Sequence, residues 1–137
     1  MLDKLLQDIR IHGITLTGSR ALQAYGMLRH REVNDIDLVF VSLEQLRGFC
    51  LKTGYTIKEE VDKPPSRKYD ENYFKLYLGD IPIADCFIKE HTRSENGCEY
   101  FRDIWAAKLR IILDRLPNTN DPVYNKHLAD FDSFFHK

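Results

Sequence analysis

The stretch Ile14-Thr15-Leu16-Thr17-Gly18-Ser19-Arg20-Ala21-Leu22, followed by Asn34-Asp35-Ile36-Asp37-Leu38-Val39-Phe40-Val41, decides the reading of this chain. Residues 14–17 alternate as a strand does, and Gly18-Ser19 turns the chain. Residues 19–29 carry Ala21, Leu22, Ala24, Tyr25 and Leu28, a helix with Ser19 as its expected N-cap. The polar, basic segment from Leu28 to Asn34 is expected to be a loop. Ile36 to Val41 is the apolar run of a buried strand. Asp35 and Asp37 then stand two apart on one strand, facing the same way, with Cα atoms about 6.5–7 Å apart.

Working outward, Leu2, Leu5, Leu6 and Ile9 give a helix over residues 2–11, closed by Gly13. Ser42 caps a helix over 43–52 that turns Leu43, Leu46, Phe49 and Cys50 inward and ends at Gly54. A strand runs from Tyr55 to about Val61, and Asp62-Lys63-Pro64-Pro65-Ser66 breaks it into a mobile loop. Tyr73 to Leu78 and Ile81 to Ile88 read as two strands joined at Gly79-Asp80, and residues 89–97 as loop. A helix over 100–115 repeats Phe101, Ile104, Trp105, Lys108, Leu109, Ile112 and Leu113, with Trp105 packing between helices. Asp121-Pro122 opens a last helix, 123–135, with Leu128, Phe131 and Phe135 on one face. The expected fold is α+β (mixed α/β), a mixed sheet flanked by helices with a short two-helix C-terminal subdomain. One domain spans 1–137, divided into a sheet region over 1–98 and C-terminal helices over 99–137.

A composition of 43% hydrophobic and 30% charged residues is ordinary for a soluble globular protein. The net charge of -1 argues against strong general affinity for nucleic acid and leaves room only for a local basic strip. No apolar run approaches a membrane span, and Met1-Leu2-Asp3-Lys4 opens no secretory segment, so a cytoplasmic protein with no membrane partner is expected. Cys50, Cys86 and Cys98 sit at no ligand spacing and read as reduced, buried thiols. The histidines show no metal spacing either, and each is expected on the surface or in a loop.

The chemistry lies in the acids and the turn. Two carboxylates as close as Asp35 and Asp37 repel unless a cation relieves them, and magnesium accepts one or two carboxylates plus phosphate oxygens. Asp85 interrupts the apolar strand 81–88, where an unpaired carboxylate is costly, and is expected to complete the cage; Asp80, in a turn, is the weaker candidate. Gly18 lets backbone approach a phosphate, and the Ser19 hydroxyl and following helix end donate to it. Arg20 and Arg31 either reach the triphosphate or pair with Asp35 and Asp37 in the empty site. Together these features point to phosphoryl chemistry on a nucleoside triphosphate.

The order Leu16-Thr17-Gly18-Ser19-Arg20-Ala21-Leu22, then Arg31 to Leu38, then Ile83-Ala84-Asp85 resembles the DNA polymerase beta-like nucleotidyltransferase superfamily. Within it the chain is most similar to the minimal bacterial AbiEii-type enzymes, toxins of toxin–antitoxin systems. Arg31 falls where their arginine precedes Asp-x-Asp, and Ala106-Ala107-Lys108-Leu109 resembles their helix with a substrate-facing lysine. Lys126 and Asp130 resemble a Lys-Asp-x-x-Asp motif in which His127 replaces the first acid; as residues they read as an ordinary surface pair.

The resemblance implies transfer of a nucleoside monophosphate from an NTP such as ATP to an acceptor hydroxyl, with release of pyrophosphate. It implies Asp35, Asp37 and Asp85 as catalytic metal ligands for two Mg2+ ions (or Mn2+), and Gly18, Ser19, Arg20, Arg31 and Lys108 as nucleotide-binding residues. The acceptor is a tRNA end, a protein side chain or a small molecule such as an aminoglycoside, and the partner an antitoxin or a second copy. Two alternatives stand beside it: a nucleotide- or partner-binding module of the same fold without turnover, and an antibiotic-modifying nucleotidyltransferase.

Overall fold

The computed structural model describes residues 2–59, 73–114 and 120–135. The expected strand end at residues 60–61 and the loop over 62–66 fall outside them. The elements are α1 (Leu2–Ile11), β1 (Thr15–Thr17), α2 (Gly18–Ala24), β2 (Asp37–Phe40), α3 (Leu43–Thr53) and β3 (Thr56–Glu59). They continue as β4 (Tyr73–Leu78), β5 (Ile81–Ile88), β6 (Ser94–Glu95), β7 (Cys98–Glu99), α4 (Phe101–Asp114) and α5 (Pro122–Phe135). The strands form one mixed sheet in the order β3-β4-β5-β2-β1-β7-β6. The fold is the mixed α+β architecture expected from the sequence.

Local chemistry sets several element ends. The Ser42 side chain accepts from Gln45 N at the start of α3, and Gly54 closes that helix at φ 86, a left-handed conformation that glycine adopts without strain. β4 and β5 pair antiparallel around the Gly79-Asp80 turn. The segment expected to be loop over 89–97 instead contains β6, which pairs with β7 through Ser94 opposite Glu99. Two-residue strands are too short to show a period of two.

α2 departs from its expected span. It begins at Gly18 and stops at Ala24, and its N-cap is Thr17 with no side-chain cap bond, so Ser19 does not cap it. Gly26 at φ 85 and Leu28 at φ 55 carry the chain away from helix, and β2 begins only at Asp37. Asp35 therefore lies outside the strand, exposed, and does not share a strand face with Asp37. The ladder nevertheless reaches back one residue, because Asp85 N donates to Ile36 O at 2.9 Å.

Alternation along the strands sorts the sheet into two faces. Leu38 and Phe40 of β2 join Leu76, Ala84 and Cys86 in a core closed by Leu5 and Ile9 of α1 and by Leu46 and Phe49 of α3. A second core lies among α2, α4 and α5, where Ala21, Leu22, Ile104 and Trp105 pack with Phe131 and Phe134. Trp105 stands 4.8 and 4.9 Å from the Phe131 and Phe134 ring centroids, the helix-packing role expected of it. Leu109 and Leu113, part of the recurring α4 pattern, and Leu128, on the expected apolar face of α5, are exposed. Among the described side chains of α5 the buried ones are Tyr124, His127 and Asp130, so this helix docks through a polar stripe as well as through phenylalanines. The Phe135 side chain lies outside the described residues.

Candidate active site

Register brings the acids together. β2 and β5 run parallel with Asp37 opposite Asp85, and β1 runs antiparallel to β2 with Thr17 opposite Asp37. β4 places Lys75 opposite Asp85 on the other side. β7 follows β1 in parallel with Leu16 opposite Cys98, which sets Glu99 beside Thr17. One row thus crosses five strands: Lys75, Asp85, Asp37, Thr17, Glu99. Side chains in such a row share a sheet face, so Asp37 and Asp85 are neighbours although 48 positions apart in sequence.

Asp85, Thr17 and Glu99 are held by hydrogen bonds, and Asp37 is packed against the Gly18 turn. Tyr73, two residues from Lys75 on β4, donates its hydroxyl to Asp85 Oδ1 at 2.7 Å. The buried Glu99 accepts from Thr17 Oγ1 at 2.5 Å and from Lys89 Nζ at 3.3 Å. Gly18 adopts φ 68, and a Cβ there would collide with Asp37 Oδ2. Only glycine lets the turn lie this close to the carboxylate.

The row opens into a cavity of about 820 Å³, whose wall includes Gly18, Ser19, Arg31, Asp35, Asp37, Asp85 and Lys108. Of the residues expected at the site, Arg20 is not among those lining it. Asp80 is exposed in the turn between β4 and β5, also away from the cavity wall.

A buried ionic cluster forms one side of the cavity, joining the expected Ser19, Arg31 and Lys108 to Asp130, His30 and His127, which the sequence suggested as surface or loop residues. Asp130 is 0% exposed, not half of a surface pair with Lys126. Arg31 donates to it through Nε at 2.9 Å and through a terminal nitrogen at 2.8 Å, and Lys108 Nζ donates at 3.1 Å. Arg31 thus pairs with Asp130 rather than with Asp35 or Asp37. His30 Nε2 approaches Asp130 at 3.1 Å. His127, expected at the surface, is buried with Nδ1 3.2 Å from Lys108 Nζ. Ser19 Oγ, freed from capping, accepts from both Lys108 Nζ and Arg31 at 3.0 Å.

The electrostatics follow from burial and pairing. Burial alone would raise the Asp130 carboxyl, but the Arg31 hydrogen bond and the Lys108 charge outweigh it and bring it down to about 2. Lys108 is pulled below the usual lysine value by burial, and the Asp130 charge opposes that fall. One carboxylate therefore neutralises part of a cluster with at least two cations, and the surplus positive charge faces the cavity beside Ser19.

Among the described residues, no group of three or more histidine, cysteine, aspartate or glutamate side chains is gathered closely enough to hold a metal ion. The donor chemistry still fits magnesium. That ion needs only one or two carboxylates when phosphate oxygens and water complete its shell, and Asp37 and Asp85 are adjacent. The contact between Gly18 and Asp37 puts backbone that can approach a phosphate against one of those carboxylates.

No protein-family model matches the chain, and no solved structure matches it. Among curated proteins, elongation factor 4 of Finegoldia magna is 34% identical to it over 88 residues, covering 64% of this chain and 14% of that protein. The chain thus spans about a seventh of that relative's length. Likeness to so small a part of another protein assigns this chain no activity. No helix among the described residues is long and apolar enough to cross a membrane.

Proposed function

We propose that the chain is a magnesium-dependent nucleotidyltransferase, moving a nucleoside monophosphate from an NTP to an acceptor hydroxyl and releasing pyrophosphate. The observation that carries this reading is the pairing of Asp37 with Asp85 across β2 and β5, with Gly18 pressed against Asp37 in the same cavity as Arg31 and Lys108. A metal-and-phosphate site needs paired acids, a turn without side-chain bulk and buried cations, and these features meet there.

In this reading the Ser19 hydroxyl and the Lys108 and Arg31 cations hold the triphosphate oxygens, while Asp130 keeps both cations charged and aimed. Magnesium, held by Asp37 and Asp85 with Asp35 at the rim, supplies charge neutralisation at the phosphates and activation of the acceptor hydroxyl. Asp85, oriented by Tyr73, takes the proton of that hydroxyl as the new O–P bond forms and the bond to pyrophosphate breaks. A role as the toxin of a toxin–antitoxin pair belongs to the same proposal.

The test is incubation with magnesium, α-labelled NTPs and cell extract, followed by separation of labelled products. Label should move to one class of acceptor, and Asp37→Asn should reduce transfer by about a hundredfold or more. Equal transfer by Asp37→Asn, or none by the wild type with any of the four NTPs, rejects the reading.

A further inference from the structure

The row across the sheet does not end at the acids. On the side of Asp85 away from Gly18, β4 presents Lys75 as the Cα partner of Asp85, and Lys75 lines the cavity. The five other cavity-lining lysines and arginines are readily accounted for. Arg31 and Lys108 bind Asp130, Lys89 binds Glu99, and Arg110 is exposed on α4. Lys126 is likewise exposed, on α5. Lys75 alone is half-buried, on a strand, and without a hydrogen bond or ion pair to another described residue. Its cross-strand neighbour Asp85 accepts from Tyr73 and makes no ion pair with Lys75, so the half-buried ammonium has room to bind a further anion, which would offset the cost of its burial.

Position separates Lys75 from the donor phosphates. The residues assigned to the triphosphate (Ser19, Arg31, Lys108) gather on the Gly18 side of the row, through bonds to Ser19 and Asp130. In-line transfer sets the attacking hydroxyl and the leaving pyrophosphate on opposite sides of the reacting phosphorus. With the leaving group toward Ser19, the acceptor enters from the β4 side, past Asp85 and onto Lys75. Resting on the reading of this site as a nucleotidyltransferase, we propose that Lys75 binds the acceptor and that the acceptor carries an anionic group, a phosphate, close to the hydroxyl that reacts. The acceptor's phosphate supplies the directly bonded counter-charge that no described side chain gives Lys75. A polycationic acceptor such as an aminoglycoside would meet repulsion at the same point, so this assignment selects against drug modification.

The donor and acceptor halves can be tested apart. The protein is first saturated with magnesium and whichever non-hydrolysable NTP analogue binds it by calorimetry. Inorganic phosphate is then titrated in and followed by the broadening of its phosphorus NMR line. Wild type should bind phosphate in the presence of the analogue. Lys75→Ala should weaken that binding by about tenfold or more, while Lys75→Arg stays within about threefold of wild type. Both variants should bind the NTP analogue as wild type does, which also reports that they fold. Phosphate binding unchanged in Lys75→Ala, or absent from wild type with the analogue bound, overturns the assignment and leaves the donor site standing. Failure of every analogue to bind wild type overturns the nucleotidyltransferase reading and this assignment with it.

Discussion

Arg31 grips Asp130 with two parallel hydrogen bonds, 2.9 and 2.8 Å long, across 99 positions of sequence. The pair ties the loop after α2 to the last described helix, and Lys108 of α4 closes the triangle on the same carboxylate at 3.1 Å. The cavity wall that carries Ser19 is therefore held by charge rather than by apolar packing alone. A buried carboxylate in such a cluster is worth most when no partner is missing, because removing it strands the cations.

Replacing Asp130 with asparagine is accordingly expected to destabilise the fold by about 3–5 kcal/mol. Urea unfolding followed by circular dichroism measures the change. A shift below about 1 kcal/mol would mean that the cluster contributes little to stability.

The same carboxylate sets an acid limit. Its folded value, about 2, lies below the 3.8 of an unperturbed aspartate, so its contribution is present in full above pH 4. That contribution should fade as pH drops from about 4 toward 2, where the folded-state carboxylate takes up its proton. Stability measured across this range should fall more steeply in wild type than in Asp130→Asn; parallel curves would contradict the assignment.

Gly18→Ala tests the closeness of the turn to Asp37. The left-handed backbone at φ 68 costs an alanine about 1–2 kcal/mol, and its Cβ forces Asp37 to move. Magnesium and NTP binding, measured by calorimetry, should weaken by about tenfold or more. Binding at the wild-type level would show that Asp37 does not need its present position.

Tyr73→Phe removes the hydroxyl that donates to Asp85 and leaves the ring in place. Stability should change by about 1 kcal/mol. Transfer activity should fall about tenfold through kcat, with the KM for NTP unchanged, since Tyr73 acts on Asp85 and not on the donor phosphates. A change confined to KM would instead place Tyr73 in the nucleotide pocket.

Much of the frame was legible in the residues. The bounds of β4 and β5, the Ser42 cap and the Gly54 stop depend on neighbours a few positions away, and the structure places them where the pattern did. The acids were legible as candidates because a carboxylate inside an apolar run, as at Asp85, is conspicuous. Ser19 was misread for the opposite reason. Gly-Ser before a helix looks like a capped turn, and nothing nearby says that Lys108, 89 positions later, claims the hydroxyl. Lys126 and Asp130 show the same ambiguity, since spacing of i,i+4 fits an exposed pair as well as an acid turned inward.

The sequence by itself determined most of the helices and the longer strands, that the fold is mixed α+β, and that Gly18, Asp37 and Asp85 stand out as candidates for a site. Those properties arise from local backbone preference and from hydrophobic periodicity. Tertiary structure alone decided the row from Lys75 to Glu99, the burial of Asp130 and His127, and the exposure of Asp35 outside β2. Strand register and helix docking are set by pairing between distant segments, and a side chain's charge has its meaning only once its distant neighbour is in place.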